Sequence, residues 1–387
     1  LIRTKPDGGR SDTITSVLTP LYLSDIHATN LRCHADIRWQ CVPGINLLVG
    51  ENGSGKTTLL EAVYLMSHGR SFRQARDPYL VRRGQRNFRI EGQWRRYGPL
   101  HVRMAGGQGG TEIRLQGKKI RQRRDLTHCI PVLAEAPQGR RLMDGVPNER
   151  RRWLDALLTD CRENLVSDFH RYGRCMMQRS RLLRRGAPAA EIEAWEQQIV
   201  VHGLVIVQAR DEIIRRLNAE LAGESALTEA TVAIEVRMPA YDRETWLERL
   251  RAKRDEDART GRLDYGPHAD RICMIYQGRE IRSSGSRGQQ KLASVALKLA
   301  ECAVRGHHRQ MMPVLLLDDC LEALDAQRQQ RLLRRLGGFS GQILMTAPAD
   351  VDIPAGVEAC IQHLDADGIH GTARVNRTSE PTIGEVA

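Results

Sequence analysis

Gly50, Glu51, Asn52, Gly53, Ser54, Gly55, Lys56 and Thr57 carry the pattern GxxxxGK[ST], which occurs once in the chain. Glycines let a backbone curl around an anion with its N–H groups pointing inward, and a helix opening there adds unpaired N–H groups and the positive end of a dipole. The chemistry on offer is the holding of nucleotide phosphates. Lys56 is placed to bridge the β and γ phosphates. Thr57, followed by Thr58 in the same helical turn, offers a hydroxyl to complete the shell of a Mg²⁺ ion whose other ligands are phosphate oxygens and water.

Such a site needs a carboxylate opposite its lysine. The apolar run Val314 to Leu317 reads as a buried strand and ends in Asp318 and Asp319. Asp318 is expected to hold the metal's water shell near Thr57, and Asp319 to orient or deprotonate the attacking water. Between the two motifs stand Ser284, Gly285, Ser286, Arg287, Gly288, Gln289, Gln290 and Lys291, ahead of a helix running to about residue 303. Ser286, Gly288 and Gln289 open that helix with small and polar groups suited to an anion. Serving its own phosphate loop, this turn would be a redundant second cradle; alternatively it closes on the γ phosphate of a nucleotide held by another subunit.

The elements that must position these residues are legible in the hydropathy. Ile45 to Val49 has the continuous apolar character of a buried parallel strand, and Thr58 to Met66 the spacing of a helix. Residues 21–26 and 37–39 predict short strands, and residues 88–115, alternating and punctuated by glycine, a small antiparallel sheet. From about Arg150 the pattern turns helical. Gly186, Ala187 and Pro188 predict a turn before a second helix over 191–221, giving two helices of about 30 residues that reach roughly 45 Å. Strands are expected again at 231–236, 272–276 and 343–346, with a helix at 244–254, and the chain beyond Gly371 carries no periodicity.

The formal net charge of +12 is unevenly placed. Residues 70–185 hold 28 Lys and Arg against 11 Asp and Glu, so the rest of the chain is net negative. Arginine, whose planar fork suits phosphate oxygens, supplies nearly all of the excess. Arg70, Arg73, Arg121, Arg123, Arg124, Arg150, Arg151 and Arg152 are the candidate DNA contacts. Aromatic residues make up only 4% of the chain, which disfavours stacking of single-stranded bases and favours contact with a duplex backbone. No run of about 18 apolar residues is present to span a membrane, and the scattered cysteines fit reduced thiols, so a cytoplasmic protein is expected.

The three motifs in this order resemble the ABC-type ATPase head, and more closely the RecF family. The residues that carry this are LLVGENGSGKTTLLEA over 47–62, GRSFR over 69–73, GVPNERRRWLD over 145–155, Gly266, Pro267 and His268, SRGQQK over 286–291, and LLLDD followed by Leu324 and Asp325. The resemblance spans about residues 21–365. It implies an α/β fold: a phosphate-loop head with a mainly parallel sheet, a smaller antiparallel sheet and a helical arm. The expected division is a flexible extension over 1–20, an N-terminal lobe over 21–135, the arm over 136–262, a C-terminal lobe over 263–370 and a polar tail over 371–387. It further implies ATP and Mg²⁺ as cofactors and an ATP-dependent homodimer in which Ser286 of each subunit caps the other's nucleotide. Slow DNA-stimulated ATP hydrolysis, binding to double-stranded and gapped DNA, and cooperation with RecR and RecO in loading the RecA recombinase complete the implied picture.

Departures from the family pattern are Ala134, Glu135, Ala136, Pro137 and Gln138 in place of FxPED, Ala269, Asp270 and Arg271 after His268, and Glu322 one position early with Ala323 following. Two rival readings share the nucleotide motifs. One is the ATPase subunit of a membrane complex with no DNA role, against which the arm and the basic block weigh. The other is a DNA-binding scaffold with a decayed site, against which Lys56, Thr57, Asp318 and Asp319 weigh.

Overall fold

A computed structural model describes residues 21–73, 79–135, 141–237 and 241–375. Two six-stranded sheets and a three-stranded one organise it. The first six-stranded sheet has the spatial order Gly368–Val375, Ala359–Asp365, Ile45–Val49, Ile343–Ala347, Val314–Leu317 and Val132–Glu135. All neighbours are parallel except the first pair. Its central strands are buried along their whole length, as a parallel sheet covered on both faces requires. Ile45, Leu47, Leu315 and Leu317 enter one core, and Leu48, Leu316 and Leu344 the other. This alternation of period two places a hydrophobic layer on each face of the sheet.

One layer holds the helix Lys56–His68 that follows the phosphate loop, and beyond it the second six-stranded sheet. That sheet is antiparallel, in the order His34–Gln40, Tyr22–Leu31, Asn87–Arg95, Pro99–Gly107, Gly110–Leu115, Lys118–Lys119. It equals the parallel sheet in strand number, which corrects the expectation of a smaller one: residues 22–31 and 34–40 form a hairpin that joins the strands of 87–119. Gln342 fastens the two sheets, its amide donating to the carbonyls of Leu23 (2.8 Å) and Val42 (2.9 Å). The other layer holds the long helix Arg287–Arg309.

The arm is built from Pro147–Cys161, Leu165–Arg184 and Ala189–Ala222. The expected first helix is thus two, separated where Arg162 leaves helical geometry at φ −137°. The predicted turn is present, with Gly186 at φ +66°, and the 34-residue helix after it reaches about 51 Å. Buried Arg179 locks the arm by donating to Glu196 (2.9 Å), Asp257 (2.7 Å) and the Leu250 carbonyl (2.7 Å). Val232–Arg237 pairs antiparallel with Arg271–Tyr276, so the expected boundary near residue 262 falls between two hydrogen-bonded strands. The strand Gly368–Val375 carries regular structure past Gly371, into the segment read as an aperiodic tail. Residues 1–20, expected to be a flexible extension, and 376–387 lie outside the described residues.

His68 closes the phosphate-loop helix with its ring stacked on Tyr64, centroids 3.8 Å apart. Burial, reinforced by the charge of Arg70, pushes its pKa from 6.5 down to about 3. An unfolded chain takes up this proton near pH 6.5 while the folded one refuses it, so stability falls as the pH drops from 6.5 toward 3. His68→Phe keeps the stack and removes the titration. Urea unfolding between about pH 7 and pH 4 is expected to show the acid-side slope flattened by up to about 1 kcal/mol per pH unit, below the full linkage value because the residue is only part-buried.

Candidate functional site

The loop from Gly50 to Gly55 leaves the parallel strand Ile45–Val49 and enters the helix at Lys56. Two of its glycines are required by space. A Cβ at Gly50 would lie 2.3 Å from the Leu364 carbonyl oxygen, and one at Gly55, where φ is +102°, 2.3 Å from His34 Nε2. Lys56 is buried and donates to the carbonyls of Gly50 (2.7 Å) and Glu51 (2.8 Å), which holds its ammonium across the loop. Glu51, Asn52 and Gly53 are exposed, and Ser54 Oγ is buried with no hydrogen-bond partner. Thr58 is buried, with its hydroxyl 3.9 Å from Cys33 Sγ.

Thr57 and Asp318 meet although 261 positions separate them: the Thr57 hydroxyl donates to Asp318 Oδ1 at 2.9 Å. The strand Val314–Leu317 lies two places from Ile45–Val49, and its end delivers Asp318 beside the loop. Burial first, then the neighbouring charge of Asp319, pushes the Asp318 carboxyl above its ordinary range; the Thr57 hydrogen bond and Arg73 act the other way. Two adjacent acids, one of them buried, with a hydroxyl between them and the loop form a donor set that suits a hard divalent cation taking its remaining oxygens from phosphate and water. Among the described residues no cluster of three or more His, Cys, Asp and Glu is placed to hold a metal ion by itself.

Asp319 sits at φ +50° in the left-handed region, a conformation that costs about 1 kcal/mol even where aspartate tolerates it. Its amide donates to Thr346 Oγ1 (2.9 Å), whose own hydroxyl points to Asp318 Oδ1 (3.0 Å) and more distantly to Asp319 Oδ1 (3.4 Å). Thr346 was not singled out from the sequence. Its signal is a lone hydroxyl in the apolar strand Ile343–Ala347, and the parallel register that aligns Leu317 with Met345 brings it to the acids.

Ser286 caps the helix Arg287–Arg309 in a reciprocal box. Its hydroxyl oxygen accepts from the Gln289 amide (3.3 Å), and its own amide donates to Gln289 Oε1 (2.8 Å). The Ser286 side chain is exposed, with its O–H proton left for an acceptor outside the turn, while Gly288 is buried against Ala323 and Leu324.

The eight candidate DNA-contacting arginines separate into three groups. Arg70, Arg121, Arg123, Arg124 and Arg152 are exposed. Arg73 is half-buried, its charge felt by Asp318, which ties it to the nucleotide side of the loop. Arg150 corrects the expectation: it is only 2% exposed and donates to the carbonyls of Leu142 (2.8 Å), Met143 (3.0 Å) and Ile272 (3.1 Å) and to Glu280 (3.3 Å). Arg151 is half-buried and donates to the Asp270 carbonyl at 2.7 Å. Asp270, among the departures after His268, is a buried hub that also receives Arg210 (2.7 Å) and Tyr241 (2.5 Å). His268 bonds Tyr172 (2.8 Å) and the Leu263 carbonyl (2.7 Å), so this segment fastens the arm rather than the nucleotide. Gln138 lies outside the described residues.

Phosphate loop, acid-tipped strand and serine-capped helix, set around a mainly parallel sheet with an arm between the halves, make this an ABC-type ATPase head. A family model described as the RecF/RecN/SMC N terminal domain matches residues 22–353. The chain is 31% identical over 344 residues to the DNA replication and repair protein RecF of Heliobacterium modesticaldum, covering 84% of this chain and 92% of that one. It is 34% identical over 316 residues to the RecF of Stenotrophomonas maltophilia, covering 79% and 86%. The chain belongs to the RecF family. A solved structure of the recombination mediator RecF with ATP superposes with a TM-score of 0.74 at 23% identity, covering 92% of this chain and 98% of that one, which shows the shared fold.

Proposed function

We propose that this chain is a DNA-binding ATPase of replication and recombinational repair, whose ATP-bound form is a dimeric clamp on duplex DNA beside single-strand gaps. The observation that carries the reading is the Thr57–Asp318 hydrogen bond, which joins the phosphate loop to the acid-tipped strand in one site. The loop amides and Lys56 hold the triphosphate, and Asp319, kept in place by Thr346, orients the attacking water and accepts its proton. Thr57 and Asp318 are the residues that would hold Mg²⁺, which when bound offsets phosphate charge. Ser286 donates to the γ phosphate of a nucleotide in the partner subunit, so ATP closes two heads and hydrolysis releases them.

The exposed arginines of the basic block contact the duplex backbone, a mode of binding that tolerates sequence and weakens with salt. By family resemblance RecR and RecO are the partners, assisting the loading of the RecA recombinase, in the cytoplasm. The test is ATP hydrolysis against protein concentration, with and without gapped duplex. At low protein the rate is expected to rise with the square of concentration and to increase with DNA. A linear rate indifferent to DNA rejects the composite, DNA-linked site.

A further inference from the structure

The helix capped by Ser286 carries a buried lysine, Lys291, 8% exposed, one helical turn beyond Gly288 on the same face. Its ammonium donates to the backbone carbonyl of Asp319 and, at 2.8 Å, to that of Glu322. Both acceptors belong to one turn, bounded by left-handed residues at each end, Asp319 at φ +50° and Ala323 at φ +63°. The helix also lies beside this turn at Gly288, where a Cβ would be in ordinary contact, 3.5 Å, with the Ala323 carbonyl oxygen. Gln329 grips the turn from the far side, donating to the carbonyls of Leu321 (3.2 Å) and Leu324 (3.1 Å).

Neither left-handed position is a glycine, so the turn persists only where its surroundings impose it. Lysine is suited to this, because one ammonium has three donors and no acceptor and can hold two carbonyls of the same turn. The peptide carbonyl that Lys291 holds is that of Asp319 itself, one bond from the Cα that aims its carboxylate.

We propose that Lys291 is a positioning residue for hydrolysis, linking the serine-capped helix to the turn that aims Asp319. This deepens the ATPase reading and rests on it. The helix that meets the partner's nucleotide at Ser286 is thereby fixed to the acid serving the subunit's own nucleotide, so closure of one site is felt as alignment in the other.

The test compares wild type, Lys291→Met, Lys291→Arg and Lys56→Ala for nucleotide affinity, ATP-driven dimerisation and single-turnover hydrolysis. Lys291→Met is expected to bind ATP within about threefold of wild type and to dimerise, while hydrolysing about tenfold or more slowly, since small displacements of a reacting group cost that much. Lys291→Arg, which keeps donors at the position, is expected to recover most of the rate. Ser286→Arg, in contrast, loses dimerisation together with hydrolysis. Wild-type turnover in Lys291→Met at equal nucleotide occupancy overturns the proposal. Should that variant fail to fold, Lys291→Gln decides: a rate between wild type and background supports it, and a wild-type rate overturns it. Hydrolysis that survives Lys56→Ala would instead remove the underlying nucleotide-site reading, a separate outcome from failure at Lys291.

Discussion

Lys56→Ala is expected to abolish measurable nucleotide binding and, with it, the pairing of two chains on ATP. The ammonium is the charge in the loop placed to meet β and γ phosphate oxygens, and a charge-assisted hydrogen bond contributes about 1.5–3 kcal/mol. Loss of two such contacts weakens binding by at least about a hundredfold, since each 1.4 kcal/mol is about tenfold. The fold is expected to survive, because the Gly50 and Glu51 carbonyls released by the lysine lie at an open loop with exposed neighbours, where water replaces the lost donors. Titration with a fluorescent ATP analogue and sedimentation with and without ATP read the two effects separately. A variant that no longer binds nucleotide yet still dimerises on its addition breaks the coupling of site to clamp.

The legible half of this site is the local half. A phosphate loop is a run of eight residues whose backbone does the binding, so its spacing alone reveals it. Asp318 was legible for a related reason, since a fully apolar strand ending in acids marks where a parallel sheet stops. What sequence could not supply is the register between strands. Thr346 reaches the two acids because Leu317 pairs with Met345, and Lys291 reaches the Asp319 carbonyl because a distant helix packs against that turn. The antiparallel sheet was read as small for the same reason: its first two strands pair with each other as a half-exposed hairpin, and only Tyr22–Leu31 reaches the rest of the sheet, through partners some sixty to seventy positions along the chain. The break in the arm at Arg162 has no proline or glycine to announce it.

Arg150 was misread as a surface residue although the signal of its burial was present. In the helix Pro147–Cys161 the buried positions are Arg150, Leu154, Leu157 and Leu158, the i, i+4, i+7, i+8 stripe of a helix facing a core. Successive residues turn about 100° apart. Arg150 therefore points inward, Arg151 sits at the margin and Arg152 meets solvent, three environments from one repeated residue type.

That difference gives opposite expectations for neighbouring substitutions. Arg150→Ala removes every donor serving the Leu142, Met143 and Ile272 carbonyls from this guanidinium and leaves Glu280 short of a partner, with the helix base opened as well. Breaking a buried charged network on one side typically costs about 3–5 kcal/mol, because the groups left behind stay out of water. Glu280 retains Arg271 at 2.9 Å, so the cost lies mainly with the stranded carbonyls. Arg152→Ala, on the exposed face, is expected to change stability by less than about 0.5 kcal/mol. For duplex DNA the ranking reverses: Arg152→Ala lowers the salt slope by up to about one unit, while folded Arg150→Ala leaves the slope as in wild type. Urea unfolding of both variants, followed by duplex affinity against salt under conditions where each remains folded, measures the two axes independently. An Arg150→Ala protein as stable as wild type, with a shallower salt slope, would return Arg150 to the DNA surface and undo its assignment to the base of the arm.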